Sequence, residues 1–122
     1  MSHKIFLSYA YQDREFAESV KSKIDELLPQ LKMSAGDVFD VQEDVDTDDD
    51  IRQSIKAAIE AAQTVIVISS VNADASPWVN YEAGLADALG KNLVVIGQQG
   101  GEDTALLHRF FDTAKIVKVE NG

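Results

Sequence analysis

The stretch Thr64-Val65-Ile66-Val67-Ile68-Ser69-Ser70, followed shortly by Ser76-Pro77-Trp78-Val79-Asn80-Tyr81-Glu82-Ala83-Gly84-Leu85-Ala86, decides the fold. The first part is a continuous β-branched run that turns polar at Ser69, as expected of a strand covered on both faces. In the second part Ser76 reads as an N-cap. Pro77 reads as the first helical residue, where a missing N–H costs nothing and φ is already set. The helix is expected to stop at Gly90, which tolerates the left-handed conformation beyond a helix end. A buried strand passing into a helix is the repeating unit of a sheet sandwiched between helices.

The same alternation extends in both directions. Upstream, Ile5-Phe6-Leu7 is a short buried strand ending in Ser8-Tyr9. Asp13 is placed to cap a helix whose apolar positions Phe16, Val20, Ile24 and Leu27 recur at helical spacing, with Pro29 at its end. Val38-Phe39-Asp40-Val41 is a weaker second strand. Thr47-Asp48-Asp49-Asp50 resembles a capping box with acids in the first turn, where the helix dipole favours them. Ile51, Ile55, Ala58, Ile59 and Ala62 then share one apolar face. Downstream, Leu93-Val94-Val95-Ile96 is another buried strand. Gly100-Gly101 leads to a short helix carrying Leu106, Leu107, Phe110 and Phe111, and Lys115 to Val119 is an edge strand.

Five strands alternating with four helices predict an α/β domain over residues 1–122, with a doubly wound parallel sheet of flavodoxin-like order 2-1-3-4-5. In that order the ligand crevice opens at the carboxyl ends of strands 1 and 3. Ser8, Tyr9, Ser69 and Ser70 stand there, and the Trp78–Glu82 helix begins just beyond.

The bulk composition narrows the function. The chain has 122 residues, 45% of them hydrophobic and 26% charged, enough for one ordinary core. The absence of cysteine excludes disulfides and thiolate chemistry and fits a reducing cytoplasm. No apolar run is long enough to cross a bilayer, so no membrane partner is expected. A net charge of -10 repels phosphate backbones, so no nucleic-acid partner is expected either.

Several familiar occupants of this fold do not fit. A phosphoacceptor domain needs acids after the first strand and an aspartate after the third, where this chain has Ser8-Tyr9 and Ser69-Ser70. Ala10-Tyr11-Gln12-Asp13 is no flavin-phosphate loop, and neither a P-loop nor the dinucleotide glycine fingerprint is present. The acidic run Glu43 to Asp50 fails as a calcium loop: counted from Asp44, the glycine position holds Asp49 and the bidentate glutamate position holds Ile55. It reads as a solvated loop, His3 and His108 read as surface residues, and no metal is expected.

Trp78 and Glu82 remain. Four residues apart, they project from adjacent turns of one helix. Each has an ordinary alternative, Trp78 as core and Glu82 as a solvated helical acid. Against those stand the small neighbours Ala83, Gly84 and Ala86. A glycine here costs roughly 1 kcal/mol of helix stability against alanine, so something nearby needs the room. An aromatic beside a single carboxylate suits a site that grips a planar ring and acts on the sugar attached to it.

These residues also carry a family resemblance. Ile5-Phe6-Leu7-Ser8-Tyr9, with Asp13 opening a helix, resembles the first box of Toll/interleukin-1 receptor (TIR) domains. Val65 to Ser69 followed by Ser76-Pro77-Trp78-Val79-Asn80-Tyr81-Glu82 resembles their strand leading into a Trp-x-x-x-Glu helix. The compact form is similar to prokaryotic TIR-like proteins of Thoeris-type antiphage defence. The resemblance implies a signalling or defence NADase that cleaves the nicotinamide–ribose bond of NAD, giving linear or cyclic ADP-ribose. NAD would be substrate and no cofactor would be needed. Glu82 would be catalytic, Trp78 would shape the pocket, and Ser8, Tyr9, Asp40 and Ser70 would line it. Self-association or pairing with other TIR domains is implied too, although the loop Gln42 to Asp50 lacks the family's Pro-Gly element. A non-catalytic interaction module is the alternative. Tyr81 to Ala86 also resembles the Glu-x-Gly-x-Ala helix of nucleoside deoxyribosyltransferases, whose glutamate likewise acts at a sugar C1′.

Overall fold

The computed structural model describes residues 5–27, 38–40, 51–98, 104, 109–110, 112 and 114–119, with positions 25, 27, 38–40, 51, 52 and 54 placed by backbone alone. The strands are β1 (Ile5–Ser8), β2 (Val38–Asp40), β3 (Thr64–Ile68), β4 (Asn92–Gln98) and β5 (Lys115–Val119). The helices are α1 (Arg14–Ser22), α2 (Ile24–Leu27), α3 (Ile51–Ala61), α4 (Val71–Asp74) and α5 (Pro77–Ala88).

All strand pairs are parallel and the sheet order is β2-β1-β3-β4-β5, as the alternation predicts. The register sets Leu7 beside Asp40 on one side and Ser8 beside Val67 on the other. Strands β1 and β3 are buried throughout. Alternation along them divides the core in two. Ile5, Leu7, Ile66, Ile68, Val94 and Ile96 pack with Ala17, Val20 and Ile24 on the α1 side. Phe6, Val65, Val67 and Val95 pack with Ile55, Ile59, Val79, Ala83 and Ala86 on the α3–α5 side.

Several local expectations are corrected. The first helix is not continuous to Pro29: it closes at Lys23, whose φ of -111° and ψ of 14° leave the helical region. Asp13 stands at the N-cap of α1 but makes no side-chain cap bond, because its carboxylate is engaged across the fold. Strand β4 runs beyond Leu93–Ile96 at both ends. The short helix α4 occupies a stretch the sequence leaves unassigned, and Ser70 caps it by accepting from the Ala73 N–H at 2.9 Å. At the end of α5, Gly90 adopts φ 69° as expected. Phe110 is buried in the α5-side core. Pro29, the acidic loop with its capping box, Gly100-Gly101, Leu106, Leu107, Phe111, His3 and His108 lie outside the described residues.

Candidate active site

Helix α5 is positioned by its caps and by one buried stripe. The Val79 N–H donates to the Ser76 hydroxyl at 3.3 Å, and Asn80 Nδ2 donates to the Ser76 carbonyl at 2.8 Å, fixing where the helix starts. Its buried residues are Val79, Glu82, Ala83 and Ala86, the i, i+3, i+4, i+7 pattern of a helix lying on a sheet. Glu82 therefore stands in the middle of a stripe that elsewhere holds only Val and Ala. The helix cannot bury the stripe without burying the carboxyl.

Strand β1 supplies its partner. Ser8 follows Phe6 by two positions and so faces α5. Its hydroxyl donates to Glu82 Oε1 at 2.7 Å. Ser8 is fully buried and Glu82 is 2% exposed. Glu82 Oε2 is buried too, and no hydrogen-bond partner reaches it among the described residues. Burial pushes the Glu82 carboxyl up from its ordinary 4.5 to about 7, against the opposing pull of the Ser8 hydroxyl. Among the described residues, Glu82 is the one carboxylate in the buried set. A buried carboxyl that titrates near neutrality is a recurrent property of catalytic acids and bases.

The solvated-acid alternative for Glu82 is thereby excluded, and so is the core alternative for Trp78. Trp78 is 45% exposed and meets Tyr81 edge-on, with ring centroids 6.3 Å apart and planes at 87°. It stands on the exposed side of α5, one turn before the buried Glu82.

The other expected lining residues are dispersed. Tyr9 is buried on the α1 side of the sheet, away from the face that carries Ser8. Asp40 ends β2 beside Leu7, but its side chain lies outside the described residues. The Ser70 hydroxyl donates to Asp13 Oδ2 at 2.5 Å, and Asn72 Nδ2 donates to Asp13 Oδ1 at 3.0 Å. Ser70 and Asp13 border a cavity of about 240 Å³ at the carboxyl ends of β3, β4 and β5, together with Phe16, Ile68, Gln98 and Lys118. Glu82 does not line that cavity. Sequence reasoning missed the Asp13 tie, because an aspartate before a helix is most simply read as its cap.

The room left by Gly84 is taken by protein. A Cβ at that position would come within 3.0 Å of Arg109 Nη2, and the Arg109 guanidinium lies 4.7 Å from the centre of the Phe110 ring.

Comparison with known proteins bears on this arrangement. A family model for the TIR domain matches residues 5–109. No curated protein sequence matches the chain significantly. Among solved structures, the fold is similar to the TIR domain of the Toll-related receptor TRR-2 from Hydra magnipapillata, with TM-score 0.68 and 17% identity over 94% of this chain and 84% of that one. It is also similar to the CMP N-glycosidase BcmB of Clostridium botulinum, with TM-score 0.61 and 22% identity over 96% of this chain and 89% of that one. At such identities the two structures attest the fold alone.

Proposed function

The chain belongs to the TIR domain family, and we propose that it cleaves the bond between nicotinamide and ribose in NAD. One observation carries this reading: a carboxyl buried at the carboxyl end of β1, with one oxygen held by Ser8 and the other without a partner among the described residues. A carboxylate in so dry a setting acts strongly on a positive charge, because little water screens it.

The chemistry asks for little else. The nicotinamide nitrogen of NAD is quaternary. When the bond to C1′ breaks, its electron pair goes to that nitrogen and the base leaves neutral, with no acid required. The sugar is left as an oxocarbenium-like cation. Glu82, as carboxylate, stabilises that cation. Water then adds at C1′ and releases a proton to give ADP-ribose. Addition of a nucleophile from the adenine end of the same molecule gives a cyclic product instead. Trp78, exposed one turn before Glu82 on the same helix, is the aromatic assigned to the substrate's ring. Because Oε2 is buried, the packing around it must part for substrate, and assembly with further TIR domains is the step assigned to that opening. The resemblance supports a role in signalling or antiphage defence, and the lack of cysteine fits a cytoplasmic setting for it.

The test is nicotinamide release from NAD by the purified protein across a range of concentrations, with Glu82→Gln alongside. Turnover that rises faster than protein concentration and disappears in Glu82→Gln supports the reading. Full turnover in Glu82→Gln removes Glu82 from the reaction, and no release at any concentration favours a non-catalytic interaction module.

The carboxyl at about pH 7 favours a second reading. Half-protonated near neutrality, Glu82 also suits a nucleotide whose base must take a proton as it leaves. The likeness to a CMP N-glycosidase makes CMP the natural competitor substrate, and release of free cytosine in place of nicotinamide would select it.

A further inference from the structure

We infer that Ser8 is a positioning residue for the reaction at Glu82: its hydroxyl holds Oε1 and leaves Oε2 as the oxygen presented to the sugar. The inference rests on the proposed reaction and gives the two carboxyl oxygens different tasks. It also replaces the expectation that Ser8 lines a substrate pocket.

Three observations converge. Ser8 is the last residue of β1, paired with Val67 of β3, so its Cα is held by the sheet. Its side chain is fully buried and its hydroxyl donates its one proton to Glu82 Oε1 at 2.7 Å, so that proton is already committed to the carboxyl. Oε2 of the same carboxyl is buried without a partner among the described residues. A polar atom kept dry and unpaired in a native fold calls for an explanation, and ligand contact is one that agrees with the chemistry above.

The surroundings make Ser8 decisive for orientation. Besides β1, helix α5 packs against α3, α4, β3 and β4. Their buried residues in this core are Ile55 and Ile59 from α3, Ala73 from α4, Val65 and Val67 from β3, and Leu93 and Val95 from β4. None of these donates a side-chain hydrogen bond or carries a charge. Among the described residues, the serine hydroxyl is the one hydrogen bond that fixes the carboxyl's rotation about its terminal bond, a torsion with a broad energy well. The hydroxyl also favours the carboxylate over the acid, which is the form that steadies a sugar cation.

The experiment compares the full-length chain with Ser8→Ala, Ser8→Thr and Glu82→Gln. Misplacing a reacting group by about 1 Å costs up to ~100-fold in rate, so kcat for nicotinamide release should fall ~10- to 100-fold in Ser8→Ala with KM nearly unchanged. Ser8→Thr keeps the hydroxyl and should recover most of kcat. Ser8→Cys, close to serine in size and a weak donor, replaces alanine if alanine impairs folding. In parallel, the ¹³C signal of the labelled Glu82 carboxyl should titrate at higher pH in Ser8→Ala than in the parent. A role confined to packing would lower the melting temperature without separating kcat from KM.

Unchanged kcat in Ser8→Ala, with Glu82→Gln inactive, overturns the positioning role and leaves the proposed reaction standing. A raised KM with unchanged kcat also overturns it, because Ser8 would then touch substrate. An unmoved carboxyl titration overturns it as well. Full activity in Glu82→Gln overturns the reaction itself, and this inference with it.

Discussion

Ser8 and Glu82 stand 74 positions apart in the chain and 2.7 Å apart in the fold. The strand that opens the sheet thus meets the helix that follows its third strand, through one hydroxyl and one carboxyl oxygen. The bond supplies only part of what a buried carboxylate needs, so the fold holds this acid at a cost.

That cost has a definite pH dependence. Glu82 has a folded pKa of about 7 against 4.5 ordinarily, so between those values the folded state binds more protons than the unfolded state. Its contribution to stability therefore falls as pH rises from about 4.5 to about 7, then stays low. The full penalty is roughly 3 kcal/mol on the scale of ~1.4 kcal/mol per pKa unit. Glu82→Gln removes this titration. Urea denaturation at pH 8 should find the variant more stable than the parent, with the difference shrinking towards pH 4.5. A constant difference across that range would contradict the assigned burial penalty.

Gly84 and Gly90 carry opposite predictions. Gly84→Ala gains about 1 kcal/mol of helix propensity, and among the described residues its new methyl meets only the far end of the exposed Arg109 side chain, which can shift. It should raise the denaturation midpoint. Gly90 has φ 69°, and a methyl added there would meet nothing within 4 Å among the described residues. Gly90→Ala therefore meets the left-handed backbone penalty of ~1 kcal/mol alone and should lower the midpoint.

Ser70 both caps α4 and donates to Asp13. Ser70→Ala should cost about 1–2 kcal/mol, more than either bond alone would suggest at a half-exposed site. A double-mutant cycle with Asp13→Ala should show a coupling of about 0.5–1 kcal/mol. Strict additivity would mean that the Ser70–Asp13 contact contributes nothing to stability.

Trp78 is 45% exposed, so Trp78→Ala should cost less than the ~3–5 kcal/mol of a fully buried Trp, with its edge-on contact to Tyr81 part of the loss. If the indole takes the substrate's ring, KM for NAD should rise several-fold with the fold intact. An unchanged KM would remove Trp78 from substrate binding.

Read alone, the 122 residues specify the parallel α/β sheet, its order, the start and stop of α5, and Glu82 as the residue to watch. Hydrophobic periodicity and capping are local properties, written into neighbouring positions. The stripe Val79, Glu82, Ala83, Ala86 points Glu82 inward, so its burial is legible too, against the usual exposure of glutamate. Folding in three dimensions assigns the rest: that Ser8 and not Tyr9 reaches Glu82, that one carboxyl oxygen is held and the other is not, that Asp13 answers Ser70 and Asn72 instead of its own helix, and that Trp78 faces outward. Each of these is a choice among partners distant in sequence. Such choices follow from which faces the sheet brings together and how much water is excluded between them.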